Sequence, residues 1–478
     1  MKLVATGVFF ILICTFQGFA QNYQAINGSP YAGAMGGANN PAAILSTPYP
    51  WDITVFSVQL KNTTNAVTFS DLSYISHGDT VGYKWKSGFV KRYAAFNYNV
   101  HLLNVRLNLG RNQAISFGAN LRGYGGVRSS NVNYNDTLKD MNQFFSINPG
   151  TTYQARFVGS SWLELYGTYS RTIWDDVNGR LNAGITLHAQ RALAGGFAEL
   201  SNASVKRNVV DTVTFYTLQT GSARYGYSSN FDSWHNNRST GDNLKDIFKQ
   251  SRAGGAIDLG IEYLVKPQGV AIDAQAEDYY DYDWKIGVSL MDLGANSFQY
   301  GSESRAVSDP KTSVTDFDIN NKFNRVSSFH SFNDSLETVV SSVDRLHGRF
   351  IIWNPARVVI NVDRMLPEHF ALNTELTLNL GGDGARMFTK EITLFALTPR
   401  WETRSLGGYL PVTVTTDGRV WVGGAAKLGP LLFGVHNWGT VFSKTRTQNG
   451  GFYLSLVIRP GKKGFQTRED KQYTCPKL

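Results

Sequence analysis

Phe370-Ala371-Leu372-Asn373-Thr374-Glu375-Leu376-Thr377-Leu378-Asn379-Leu380 alternates two kinds of side chain. Phe370, Leu372, Leu376, Leu378 and Leu380 fall on one side. Ala371, Asn373, Glu375, Thr377 and Asn379 fall on the other. A β-strand has period two, so this stretch reads as a strand with one greasy and one wet face. The pattern recurs. Ile115, Phe117, Ala119 and Leu121 oppose Ser116, Gly118, Asn120 and Arg122; Leu181 to Ala189 alternate with Asn182 to Gln190; Ile257 to Tyr263 alternate with Asp258, Gly260 and Glu262. Trp284 to Leu290 and Val358 to Val362 repeat it again. No apolar run after residue 20 is long enough to cross a bilayer as a helix. Strands of this kind, repeated across the chain, read as an all-β fold: a single closed antiparallel transmembrane β-barrel. Lipid takes the apolar face and a polar lumen the other.

The start of the chain agrees with that destination. Met1-Lys2 is basic, Leu3 to Phe16 is apolar, and Gly18-Phe19-Ala20 places small residues where a signal peptidase reads. Cleavage is expected before Gln21, with an uncleaved anchor as the alternative; Cys14 follows the bulky Ile13, which argues against lipoprotein processing. The mature chain then holds one cysteine, Cys475, so a disulfide-stapled scaffold is excluded. Its net charge of +8, after loss of Lys2 from a total of +9, is spread among acidic residues rather than clustered, which gives nucleic-acid binding no support. Forty-seven glycines and 13% aromatics suit turns, crowded luminal positions and the two aromatic belts of a barrel. No linker divides 51–460, so the organisation expected is a signal peptide at 1–20, an N-terminal segment at 21–50, a barrel at 51–460 and a polar periplasmic tail at 461–478.

Local signals refine the picture. Phe96, Tyr98, Val100 and Leu102 lie in one phase, and Leu103, Val105, Leu107 and Leu109 in the other, which predicts a bulge or tight turn near Leu102–Asn104. Thr416-Asp417-Gly418-Arg419 and Leu428-Gly429-Pro430 predict hairpin turns. Three stretches lack strand character: 127–158, 221–250 and 295–345. Asp242 to Gln250 within the second shows a helical face of Leu244, Ile247 and Phe248. Asn449-Gly-Gly-Phe-Tyr-Leu-Ser-Leu456 looks like the closing-strand signal read by the barrel assembly machinery, with Phe452, Leu454, Leu456 and Ile458 on the lipid side.

Tyr31-Ala-Gly-Ala-Met-Gly-Gly-Ala-Asn39-Asn40-Pro41-Ala42-Ala43-Ile44 resembles the segment that precedes the first strand in the long-chain fatty-acid transporter family, and barrels of the type 9 secretion system look similar there. With Gly429-Pro430-Leu431-Leu432-Phe433-Gly434 and Cys475-Pro476-Lys477, the chain is also similar to an uncharacterised Bacteroidota-type family of outer-membrane barrels. The resemblance implies about fourteen strands, location in the outer membrane of a Gram-negative bacterium, and a plug formed by residues 21–50, with a disordered extension as the alternative. Gly33, Gly36, Gly37, Asn39, Asn40, Pro41 and Ala42 are the plug residues it points to. Small residues allow close packing in a lumen, and Pro41 disfavours a helical Asn40.

The alternation directs Arg106, Arg122, Asp258, Glu262, Asp363 and Glu375 to the lumen, where they form either a network packing the plug or a permeation path. No catalytic motif is present, and His188, His369 and His436 are scattered. Glu277-Asp-Tyr-Tyr-Asp-Tyr-Asp-Trp284 is the best candidate for a metal, calcium being the alternative, but its spacing fits no calcium loop and it reads as interface aromatics. No cofactor or metal is expected. Passive or plug-gated transport of small molecules, hydrophobic ones among them, is the leading expectation, with a structural or secretion-associated barrel docking a partner and an outer-membrane hydrolase as alternatives. Expected partners are outer-membrane lipids, the assembly machinery, and a hydrophobic ligand or envelope protein.

Overall fold

The computed structural model describes residues 23–70, 82–234, 237–267, 281–382, 384–442 and 447–460. The signal segment, the tail after residue 460 and most of the acidic-aromatic run lie outside them. Among the described residues, fourteen strands form the wall. They are β1 (Trp51–Thr64), β2 (Val90–Asn108), β3 (Gln113–Val132), β4 (Tyr153–Asp175), β5 (Gly179–Val210), β6 (Arg252–Val265) and β7 (Trp284–Gln299). Next comes β8, in two runs (Arg349–Trp353 and Arg357–Met365), then β9 (Phe370–Asn379) and β10 (Leu394–Glu402). Strand β11 is broken at Pro411 (Leu406–Tyr409, Val412–Thr415) and β12 at Gly423 (Val420–Val422, Gly424–Leu428). β13 (Leu431–Val435) and β14 (Asn449–Ile458) complete the circuit.

Each wall strand pairs antiparallel with its sequence neighbour. β1 pairs with both β2 (Val58 opposite Val100) and β14 (Val58 opposite Leu454), so the sheet closes on itself. Closure is what a bilayer demands, because lipid cannot satisfy the backbone groups of an open edge. No described helix is long and apolar enough to span a membrane.

The alternation sorts side chains as the sequence predicts. Phe117, Leu187, Leu259, Ile286, Phe370, Leu378, Phe395 and Phe433 remain exposed on the outer face. Asn120, Thr186, Asp258, Lys285, Asn373 and Glu375, an odd number of residues away on the same strands, are buried inside. The phase slip is a bulge: the β2–β3 register shifts between His101 and Leu103, so Leu102 and Leu103 both point outward. Gly418 (φ +76°) and Gly429 (φ +58°) occupy the left-handed conformation in the two hairpin turns.

The two ends differ. One carries short turns, including 109–112, 176–178, 366–369, 403–405 and 429–430. Trp174 stacks on Tyr263 there (6.2 Å between centroids), and Trp284 and Trp401 are also exposed at that end. The other end carries long connections, and these correct an expectation. Residues 127–158 and 295–345 contain strands and helices rather than irregular loop. The upper half of β5 forms a hairpin with Val213–Tyr227, whose sheet continues through Arg305–Pro310 and Val340–Arg345. Helices α1 (Met141–Ser146), α3 (Asp316–Phe323) and α4 (Phe329–Val339) pack around this crown, and α2 (Thr240–Gln250) lies beside β5. Its polar composition hid a small core of Val307, Val314, Val339 and Val340, with helices started by capping boxes at Thr315 and Ser328. A barrel strand needs only about 9–11 residues to span. The 32 residues of β5 therefore carry the crown well beyond the bilayer.

Candidate functional site in the barrel lumen

A lumen of fourteen strands is too wide for wall side chains alone to fill. Here the segment before β1 fills it. Residues 23–50 form three short 3-10 turns, Gln24–Ile26, Gly33–Ala38 and Pro41–Leu45, and are largely buried inside the wall. Gly37 lies close enough to Ile44 that an added Cβ would sit 3.1 Å from its Cγ2, and Gly36 abuts Ala32 and Ala43, so the small residues let the second and third turns pack together. Gly33 takes φ +59° and leaves no room for a Cβ beside the Asp52 carboxylate. That approach lets the Ala34 amide donate to Asp52 Oδ1 at 2.8 Å.

The Asn39-Asn40-Pro41-Ala42 motif lies against the opposite side of the lumen. Asn40 is extended (φ −153°), as a residue before proline prefers, and its side chain caps the Ala42 amide at 3.0 Å. Asn40 Nδ2 donates to the Ile261 carbonyl at 2.9 Å, and the Asn39 carbonyl accepts from Ser289. Wall glycines make this possible. A Cβ on Gly184 would sit 2.6 Å from the Ala42 nitrogen, and one on Gly260 2.9 Å from the Pro41 ring. Gly184→Val is therefore expected to lever the motif off the wall at a cost of about 1–3 kcal/mol. Faster hydrogen exchange across residues 33–45 in an assembled barrel is the readout, with the outward Ala183→Val unchanged.

Hydrogen bonds fasten the plug to most of the circuit. Asn27 donates to Glu375 at 2.6 Å, Ser29 to Glu402 at 2.7 Å, and Ser46 to Glu262. Lys285 Nζ and the Tyr282 hydroxyl donate to the Gly28 carbonyl at 2.6 and 3.2 Å. Tyr282 thus faces the lumen rather than the lipid interface, which corrects its reading as an interface aromatic. Ser170 Oγ donates to the Pro41 carbonyl at 2.6 Å. Arg106, fully buried, pairs with Asp52 and donates to the Ile44 and Tyr49 carbonyls. Arg459 donates to the Tyr31 carbonyl at 2.7 Å, and the Lys427 ammonium lies 4.1 Å from the Tyr31 ring.

Of the residues directed to the lumen by the alternation, Arg106, Glu262 and Glu375 touch the plug. Arg122 and Asp258 instead build a wall network. Arg122 binds Asp292 bidentately at 2.6 and 2.8 Å, and Arg357 shares Oδ2 of the same carboxylate. Arg357 then donates to the Ala38 carbonyl at 3.1 Å, so the network reaches the plug at one remove. Asp258 accepts from the Asp292 amide at 2.6 Å and pairs with His188 at 2.8 Å. Asp363 receives a bidentate Arg400 at 2.5 and 2.7 Å, and Arg400 also binds Glu402. In the β9–β10 connection, burial pushes the Glu391 carboxyl up, opposed by Lys61 and Arg357. His369 lies in a turn and His436 beside Tyr453, both away from His188.

Asp292, Arg357, Arg400 and Glu402 were not singled out from the sequence. Arg400 and Glu402 were legible, since they share the inward phase of Ala396 and Thr398. Asp292 was not, because it sits at a bulge between Leu290 and Leu293 with φ +59°, where the alternation slips.

A cavity of about 30 Å³ between Ala34–Ala38 and the Arg122–Asp292–His188 network is polar and large enough to hold ordered water. Above the polar layer, on the loop side, Phe197, Phe298, Phe350 and Ile352 form an apolar luminal shelf. Below it, Ile26, Met35, Tyr409, Leu432 and Val457 pack together around about 10 Å³.

A family described as one of unknown function (DUF5723) matches residues 41–436. No curated protein matches the chain. Among solved structures, the Ralstonia pickettii toluene transporter TbuX is similar at 11% identity, covering 94% of this chain and 100% of that one, with a TM-score of 0.40. A Pseudomonas aeruginosa FadL homologue is similar at 10% identity, with coverages of 92% and 98% and a TM-score of 0.38. The P. putida toluene transporter TodX is similar at 11% identity, with coverages of 89% and 93% and a TM-score of 0.34.

Proposed function

We propose that the chain, which belongs to the DUF5723 family of unknown function, is a plug-gated channel in the outer membrane of a Gram-negative bacterium. It would admit small molecules with an apolar part. The observation that carries this reading is the way the plug is held. Residues 23–50 are joined to the wall by hydrogen bonds to Glu375, Glu402, Glu262, Lys285 and Arg106, distributed around the lumen. Each such bond engages a charged group and contributes about 1.5–3 kcal/mol net, because water can replace it. A plug held this way can shift in part without the wall unfolding. The shelf of Phe197, Phe298 and Phe350 on the loop side supports an apolar solute as cargo.

Deleting residues 24–38 tests the proposal. These residues fill the side of the lumen facing β1, β2 and β7–β14, while 39–46 stay on β3–β7. The truncated barrel is expected to assemble and to raise uptake of small solutes into liposomes far above the parent. An assembled truncation that takes up no more than the parent would overturn the gate.

A second reading, docking of an envelope partner, is favoured by the crown. It has its own apolar cores around Phe145, Tyr153 and Tyr216 and around Val307, Val314 and Val339, more structure than a pore mouth requires. Removing 305–345 would abolish capture of a co-purifying envelope protein on this reading while leaving the uptake of the plug deletion intact.

A further inference from the structure

Helix α2 leaves its apolar face uncovered. Leu244, Ile247 and Phe248 recur at the spacing of one helical face. Leu244 is 55% and Phe248 45% exposed. The turn Ser229–Ser233 packs beside the helix, where Gln250 Nε2 donates to Ser233 Oγ at 2.5 Å. It adds Phe231 and, next to it, Trp234, 45% and 42% exposed. Four large apolar side chains therefore stand together in a unit of otherwise polar sequence.

The position of that unit decides what covers it. On the outer face of β5, Ile185, Leu187 and Ala189 are lipid-facing positions, and Arg191 is the next outward residue toward the loops. The Arg191 guanidinium stacks 5.7 Å from the Phe248 ring and donates to the Phe248 carbonyl at 3.4 Å. Ser251 then leads into β6, whose outward Ile257, Leu259 and Ile261 continue the same band. The helix is thus moored to the outside of the wall, at the loop-side rim of the apolar band. Its exposed face extends the surface that already meets lipid. Its polar face carries Lys245 and Lys249, with Asp246 paired to Arg238 at 2.6 Å. Leucine and phenylalanine on one face, lysine on the other and a tryptophan alongside is the composition of a helix lying in a membrane interface.

We propose that α2 with Phe231 and Trp234 is an interfacial foot, seated at the boundary between head groups and acyl chains of the outer leaflet, with lipid as its occupant. The foot fixes the height and tilt of the barrel on the side of β5 and β6. Lys245 and Lys249 are placed for phosphate-bearing head groups.

The test uses the full chain purified from membranes, with Cys14→Ser and Cys475→Ser, and an environment-sensitive fluorophore on Leu244→Cys. Reconstitution is in phospholipid liposomes brominated either near the glycerol end or near the methyl end of the acyl chains. The label at 244 is expected to emit to the blue of one on Asp211→Cys at the crown tip. It should lose most of its emission to the shallow bromines and little to the deep ones. A label on Leu187→Cys should show the reverse depth order, and one on Lys245→Cys should be quenched less than that at 244. If the Leu244 variant fails to assemble, Trp234→Cys gives the same reading. Emission and quenching at 244 or 234 indistinguishable from position 211 would overturn the proposal, since a face reserved for a protein partner stays wet in pure lipid.

Discussion

Asp292→Ala is expected to destabilise the folded barrel by about 3–5 kcal/mol, the usual effect of removing one partner from a buried ion pair. The reason is arithmetic of charge. One carboxylate holds two guanidiniums, Arg122 bidentately and Arg357 through the shared Oδ2, and all three side chains are buried. Glu164, 3.5 Å from Arg122, is already engaged by Trp162, Gln190 and Asn120 and cannot substitute for it. Alanine also fits poorly at φ +59°, a conformation tolerated by Asp, Asn and Gly. Asp292→Asn keeps the conformation and one acceptor and should lose less. Denaturant titration followed by the mobility shift between folded and unfolded barrel on gels gives the difference. A loss under about 1 kcal/mol for the alanine variant would mean that the network is solvated and not structural.

Leu378→Arg and Thr377→Arg are expected to fail in different ways. Leu378 points outward, and an arginine there must enter lipid, at about 2–4 kcal/mol near the midplane. It should slow or prevent insertion into bilayers. Thr377 points inward, and the alternation alone predicts a mild effect for an arginine in a wet lumen. The structure changes that expectation. Thr377 is buried, donates to Glu375 at 2.8 Å, and Glu375 in turn holds Asn27 of the plug. At 4% exposure a guanidinium there must displace its neighbours, so Thr377→Arg should insert but loosen residues 24–30, seen as faster hydrogen exchange there. Combining it with the 24–38 deletion should relieve the defect, whereas the deletion should do nothing for Leu378→Arg. Equal insertion defects in both single variants, unrelieved by the deletion, would refute the distinction.

The two substitutions also mark where sequence reading succeeds. Which way Leu378 and Thr377 point is a local property: a strand places neighbours on opposite faces whatever it pairs with. The same locality made Leu102–Leu103 readable as a bulge and Asp417-Gly418 as a turn. It made α2 readable too, since Leu244, Ile247 and Phe248 carry the helical period within one segment. The closed antiparallel barrel follows from those local facts plus the bilayer's refusal of open edges.

The partners inside the lumen were decided elsewhere. Arg122 and Asp292 lie 170 residues apart, and Asn27 and Glu375 lie 348 apart. Each was placed by the circumference and stagger of the closed wall, quantities that no single strand encodes. The alternation could therefore say that Arg122 and Glu262 face inward, but not that Glu262 meets the plug while Arg122 meets Asp292. Tyr282 was misread for the same reason, because its neighbours in sequence are interface residues and its neighbours in space are Gly28 and Asp363. The crown was hidden because its strands and helices bury small clusters contributed from 141–153, 216 and 307–340, too few apolar residues in any one stretch to raise a periodic signal. The direction of each side chain was local and so belonged to the sequence. Its partner was a consequence of closing the barrel, and only the tertiary structure decided it.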